Sequence, residues 1–312
     1  MKKVLLASTV LALSASVAAA EVTVGGNGRM GVTYTEGAAN ELAFTSRIRI
    51  AFTASGETDG GLSFGGSIRA DNAAAGAAGT AGSVFVSGAF GKLTMGDVGG
   101  AANFAVGHVD GVGLTGLGDM NEMLYLSNSR RSAARYEYSA GAISFAISAD
   151  NPGTDGAGVG YNFGNFVIPA VPGLPTSNTY SVGVKYSTDA YTVGLGYETA
   201  DIAGTSVDHV IVGGSATFSG VNVKVTYGMA DLGGADFSQS AVSASYSMDG
   251  LGLTAYYKQA GIDGFGGDMK AYGLGASYDL GGGASVVGGI ASSKVGAGAS
   301  TTVADFGLSF SF

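Results

Sequence analysis

The sequence predicts an all-β protein, a 16-stranded antiparallel transmembrane β-barrel. Three observations carry this. Apolar and polar residues alternate along most of the chain, and turn-like segments are alternately short and long. Beyond the N-terminus no apolar run approaches the roughly 20 residues of a membrane helix.

Composition agrees. The 312 residues include 56 Gly, with 15 Tyr and 15 Phe, but only 12% are charged. Mean hydropathy is just +0.30, so the chain is mildly apolar everywhere and strongly apolar nowhere. A membrane barrel interleaves its apolar residues with polar ones, whereas a helical bundle concentrates them. Cys is absent, which excludes a disulfide framework and a thiolate metal site. A net charge of −9 argues against a nucleic-acid partner.

Residues 1–20 read as a signal peptide. Lys2 and Lys3 form a positive start, Val4 to Val17 is mostly apolar, and Ala18-Ala19-Ala20 is a small-residue cleavage motif before Glu21. Export with cleavage after Ala20 would leave 13 basic and 24 acidic side chains, a net −11, in a barrel spanning 21–312.

Most strands show two distinct faces, though 81–90, with Phe85 on the nominal inner face, and 284–294 alternate poorly. In Arg29 to Tyr34, Met30, Val32 and Tyr34 oppose Arg29, Gly31 and Thr33; in Arg47 to Phe52, arginines oppose isoleucines. Val221 to Tyr227, Tyr191 to Glu198 and Phe306 to Phe312 alternate almost without fault. The predicted strands are 22–35, 41–55, 61–71, 81–90, 92–98, 132–139, 142–150, 178–187, 190–199, 207–218, 221–230, 238–248, 251–260, 268–280, 284–294 and 301–312. An even number puts both termini on the short-turn rim, where the first and last strands can pair and abolish the edges. Short turns on one rim and longer loops on the other are the pattern of an outer-membrane barrel.

Tyr138, Tyr186, Tyr191, Tyr246, Tyr278 and Phe312 fall near the short-turn rim on outward positions; Tyr34, Tyr197, Tyr227, Tyr257 and Tyr272 fall near the loop rim. Two bands of amphipathic rings are the girdles of a membrane barrel. The inner face is mostly Gly, Ser, Thr and Arg, too small to fill a barrel of this strand number, so water must occupy it.

These strands resemble the general diffusion porins of alphaproteobacteria, the Rhodobacter type. The likeness rests on Arg29-Met30-Gly31-Val32, Ser46-Arg47-Ile48-Arg49, Ser87 to Gly91, Met95-Gly96-Asp97, Tyr136 to Gly141, Tyr272 to Gly283 and the terminal Phe312. It implies a homotrimer in the bacterial outer membrane, in contact with its lipid and lipopolysaccharide. It also implies a long third external loop folded into the pore, and passive diffusion of ions and small hydrophilic solutes. Segment 151–177 departs from the family; it holds Pro152, Pro169, Pro172 and Pro175, all the prolines of the chain.

The third loop is expected at 99–131 as the pore constriction. A loop this long is usually functional or disordered, and its many apolar residues, from Phe104 to Leu126, require something to pack against. It carries Asp110, Asp119 and Glu122, following Asp97 at the strand end. Arg29, Arg47, Arg49 and Arg69 face inward from the first three strands. An acidic loop inside the barrel would then face a basic wall. The alternative is that the arginines neutralise lumen carboxylates elsewhere.

Other motifs carry little. Gly26 to Gly31 fits G-x-G-x-x-G but lies within a strand with no helix after it. His108-Val109-Asp110 is a weak catalytic candidate, and no enzyme activity is expected. No cofactor is required. Asp97, Asp119 and Glu122 are hard oxygen donors; without EF-hand spacing, calcium there is an expectation helped by the resemblance. The competing functional expectation is a substrate-selective channel for a sugar or anion, and after it a barrel enzyme or structural anchor.

Overall fold

The computed structural model describes residues 20–312 except 74–75, 80–81, 128–131, 151–160, 163–166, 169–175, 203–204 and 265–266. The expected signal peptide and the proline-bearing segment lie largely outside the described residues.

Sixteen strands form the barrel. They are β1 Glu21–Thr35, β2 Leu42–Glu57, β3 Ser63–Ala73, β4 Ser83–Gly88, β5 Gly91–Asp97, β6 Ser132–Ala140, β7 Ile143–Asp150 and β8 Thr176–Ser187, then β9 Tyr191–Ile202, β10 Thr205–Phe218, β11 Val221–Asp231, β12 Asp236–Met248, β13 Leu251–Ile262, β14 Met269–Gly281, β15 Ala284–Val295 and β16 Thr301–Ser311. Each pairs antiparallel with the next. β1 closes the ring by pairing β2 on one side, with Arg29 opposite Arg47, and β16 on the other, with Arg29 opposite Ser309. Closure satisfies the ladder without an edge, which hydrocarbon would not tolerate.

Burial is inverted relative to a soluble fold. Leu195, Tyr272 and Leu274 on the outside are 49%, 58% and 58% exposed, while Glu198 and His209 on the inside are 0% exposed. The outward apolar positions face lipid; the inward polar ones pack beneath the third loop. Most predicted girdle rings, including Tyr138, Tyr186, Tyr191, Tyr278, Tyr227 and Tyr257, are exposed on this outer surface.

The short-turn rim is made by tight hairpins. Ser219-Gly220 and Asp249-Gly250 both take positive φ at both residues, 49° and 84° in the first and 49° and 83° in the second. That twist matches two antiparallel strands and favours Gly at the second position. The loop rim departs from expectation in three places. β9 and β10 run to Ile202 and from Thr205, so the gap expected at 200–206 is far shorter. β11 and β12 close through Leu232, whose N–H donates to Ala235 O at 2.9 Å. Gly76–Gly79, placed in a loop by the sequence, adds a short strand against β3, with Ala70 opposite Gly79. In each case the chain continues a ladder that already has a partner.

Candidate functional site: the constriction

Beyond β5 the chain turns into the barrel. A short helix, α1 Ala101–Val106, begins the inserted loop. Its leading N–H groups have no partner within the helix. The wall supplies them: Ala101 N donates to Ser148 Oγ at 2.9 Å and Ala102 N to Ser181 Oγ at 2.8 Å. Glycine permits this approach. A Cβ on Gly183 would strike the Ala101 carbonyl, one on Gly194 the Ala105 carbonyl, and one on Gly196 the Ala102 methyl. Phe104 lies under Lys185 Nζ at 4.3 Å and Arg135 at 5.1 Å, a double cation–π contact.

The loop then runs around the inner wall, fixed at intervals. Asp110 pairs with Lys224 of β11 at 2.5 Å and accepts from Ser245 Oγ at 3.1 Å; its N–H donates to Ser243 Oγ at 2.9 Å. Farther along, Asp305 of β16 accepts from Leu114 N at 2.9 Å, Thr115 N at 2.6 Å and Thr115 Oγ1 at 2.7 Å. Arg29 donates to Leu114 O at 3.3 Å.

The returning half is held by a buried polar cluster. Glu198 accepts from Leu126 N at 2.8 Å and Ser127 N at 3.2 Å, and Gln239 both accepts from Leu124 N at 2.8 Å and donates to Leu124 O at 2.9 Å. His209 lies between them, 3.0 Å from Glu198 and 3.2 Å from Gln239. Lys258 donates to the Glu122 carbonyl. Within the loop, His108 Nδ1 accepts from Met123 N at 2.8 Å and Tyr125 OH donates to Gly107 O at 2.5 Å. Burial, and secondarily Lys258, pushes the His108 ring down to about 4.

The apolar residues of the loop face the wall. Val109, Val112, Leu117, Met120, Met123 and Tyr125 form one cluster with Ile211, Tyr256 and the small wall residues Ala241, Ala271 and Ala291. Among loop residues 98–127, only Gly111, Gly118, Asp119 and Glu122 are exposed. The tip turns sharply, with Leu117 and Asp119 in the left-handed region at φ 48° and 53°. Apolar packing therefore turns two carboxylates into the lumen.

Across the opening stand Arg29, Arg47 and Arg49. Burial pushes the Asp119 carboxyl above its ordinary range, and Arg29, Arg49 and Arg47 pull it back. Glu122 is likewise raised by burial and by Asp119, and lowered by Lys258. The arrangement sets acid on the loop against base on the wall.

Not every expected residue belongs to it. Asp110 faces the wall and serves as an anchor, because Lys224 lies within reach on the inner face. Asp97 is half-buried at the end of β5, where its N–H bonds Gly82 O, and makes no ion pair with Arg29, Arg47, Arg49 or Arg69. Arg49 and Arg69 share Asp71, at 2.9 and 2.7 Å, so the basic wall is partly neutralised from within. Arg47 donates to Asn27 Oδ1 at 3.2 Å. Among the described residues no three His, Asp or Glu side chains converge as a metal-binding group, so Asp97 is not brought to Asp119 and Glu122 as the calcium expectation requires. Residues that sequence reasoning missed are Asp71, Glu198, His209, Gln239, Lys258 and Asp305. All are large polar groups on inward positions of strands whose inner faces are otherwise mostly small.

Comparison with known proteins agrees with the barrel fold. The family model described as Gram-negative porin matches residues 7–298. A porin of Rhodobacter capsulatus is 36% identical over 94% of this chain and 100% of its own. A porin structure refined at 1.8 Å resolution has a TM-score of 0.76 at 34% identity, covering 94% of this chain and 100% of that one. A Rhodopseudomonas blastica porin triple mutant, at 24% identity, shares the fold with a TM-score of 0.68 over 93% of this chain and all of its own. A closed 16-stranded barrel with lipid-facing apolar residues and a water-accessible, charged interior thus carries the family's features, and the chain belongs to the Gram-negative porins, outer-membrane channels for passive diffusion.

Proposed function

We propose that the channel is non-specific and that its filter is a transverse electric field. Asp119 and Glu122 stand on the loop, and Arg29, Arg47 and Arg49 stand on the wall. The observation that carries this reading is the exposure of those two carboxylates on a loop whose apolar residues are buried. A field focused between low-dielectric walls orders water and aligns dipolar solutes. Polar molecules turn with the field. Apolar ones must displace ordered water and gain nothing in return.

A selective sugar channel would need a file of aromatic rings along the passage. Tyr125 and Tyr256 are buried between loop and wall, and Phe104 is half-buried beneath cations. Neither arrangement leaves a stacking surface open, which favours simple diffusion. No bound cofactor and no covalent step enters this reading. Three barrels associate as a homotrimer, and the mature chain begins at Glu21; family resemblance supports the first and the small-residue motif ending at Ala20 the second.

Liposome swelling with sugars of graded size tests the reading. A size cut-off without saturation is the expected result, and saturation would establish a solute site instead. In single-channel records a trimer closes in three equal steps.

A further inference from the structure

Among the described residues of the barrel strands, every arginine and all but two lysines occupy lumen-facing positions. The two exceptions are Lys270 of β14 and Lys294 of β15. They are directly opposite in the register, and both are exposed. Residues directly opposite share a face, and like charges so placed destabilise a sheet. An anion between them reverses that sign.

Among the described residues nothing supplies the anion. Neither lysine makes an ion pair among the described residues. Asp268, two residues before Lys270, accepts from Gln259 Nε2 at 2.6 Å instead. The β15–β16 register ends at Ser293 opposite Thr301, so no strand residue stands across from Lys294 on that side.

The position along the barrel indicates the source of the anion. Tyr272 lies two residues from Lys270 toward the membrane centre, roughly 7 Å along the strand, with Tyr257 directly opposite it on β13. These rings belong to the girdle of the loop rim, which faces outside in an outer-membrane barrel. Basic side chains just beyond an aromatic girdle stand at headgroup level. Below the lysines run the exposed Tyr272 and Leu274, an apolar column along which acyl chains can lie. Elsewhere on this rim the outward charge is acidic, with Asp208 directly opposite Asp231.

We propose that Lys270 and Lys294 form a binding site for the phosphate group of a lipid headgroup in the external leaflet. Each ammonium offers three donors, and charge-assisted bonds to phosphate are among the stronger hydrogen bonds. The tyrosines support the headgroup from beneath, and the apolar column distinguishes a lipid from free phosphate.

The test is native mass spectrometry of the purified full-length protein and of the double variant Lys270→Gln/Lys294→Gln. The probes are lipid A, dephosphorylated lipid A and inorganic phosphate. The glutamine variant is expected to retain lipid A about tenfold less well, equivalent to roughly 1.4 kcal/mol of binding. The pair Lys270→Arg/Lys294→Arg should retain it, dephosphorylated lipid A should show no difference, and inorganic phosphate should fail to displace lipid A. The site faces away from the lumen, so parental conductance in the glutamine variant confirms that the barrel is intact. Equal retention of lipid A by parent and glutamine variant would overturn the proposal. Displacement by inorganic phosphate would overturn the lipid assignment. Loss of the oligomer with unchanged lipid retention would place the lysines against a second copy of the chain, and also overturns it.

Discussion

Glu198 and His209 lie 3.0 Å apart, carboxylate oxygen to ring nitrogen, and neither is exposed. The same carboxylate accepts from two loop N–H groups, and the far side of the ring meets Gln239, whose amide is oriented by bonding both backbone groups of Leu124. Nδ1–H therefore donates to Glu198, and Nε2 accepts from Gln239. Three strands thus hold the returning half of the constriction through a single connected network.

Replacing Glu198 by Gln exchanges one acceptor oxygen for a donor that faces other donors. Leaving such groups unsatisfied costs about 1–3 kcal/mol. A lower melting temperature and a noisier, larger single-channel conductance are expected. Unchanged records would mean that the network is not what fixes the loop.

Asp305 holds the far end of the loop by three hydrogen bonds to Leu114 and Thr115. Asp305→Ala removes all three, while Asp305→Asn keeps one acceptor oxygen. Conductance should rise in the order parent, Asn, Ala, as planar-bilayer recording can measure. The opposite order would place the tip under other control.

Close approach of α1 depends on wall glycines. A side chain at Gly194 would strike the Ala105 carbonyl backbone, which cannot yield as a flexible side chain can. Gly194→Val is expected to displace the helix. The variant should fold as a barrel by circular dichroism yet show altered conductance and a larger size cut-off in liposome swelling. A parental cut-off would show that the helix tolerates the added volume.

Much of this was legible in the sequence because lipid outside and water inside impose opposite demands on neighbouring residues. Each of the sixteen predicted strands lies within a few residues of its observed counterpart. The apolar content of the loop also foretold burial, and Val109, Val112, Leu117 and Met120 are indeed buried. The anchors were not legible. Glu198 and Asp305 stand out as inward polar residues, but their partners lie 72 and 191 residues away. Only the seating of the loop decides which carbonyl or N–H each will meet. The same reason explains Asp110: its sign suits the lumen, yet Lys224 captures it at the wall. Asp71 was overlooked because it stands beside the arginines it neutralises.

Acid should loosen the loop through His108. Its Nδ1 must be unprotonated to accept from Met123 N–H. An exposed histidine takes up its proton near 6.5, whereas burial holds this one down to about 4. The non-native state binds more protons in between, so the stabilisation is fully present above pH 6.5, declines below it, and is lost as pH falls through about 4. The loss is on the order of 3 kcal/mol. Channel noise should grow across this window. Glutamine at position 108 can accept the same hydrogen bond without titrating, so His108→Gln should flatten that part of the profile. An unchanged profile would show that His108 does not carry the effect, since the burial-raised carboxyls of Asp119 and Glu122 take up protons more readily in the seated loop and so act in the opposite direction.

The most direct test of the central claim is the reversal potential in a salt gradient, measured on two double variants. Two unit charges about 10 Å apart interact by only about 0.4 kcal/mol in bulk water, but by roughly 1.7 kcal/mol at an effective dielectric near 20. Several such charges across one opening should therefore govern which ions pass. Arg47→Ser/Arg49→Ser should raise conductance and increase cation preference. Asp119→Asn/Glu122→Gln should shift preference towards anions. If both double variants keep the parental reversal potential and conductance, these residues do not line the constriction and the field account fails.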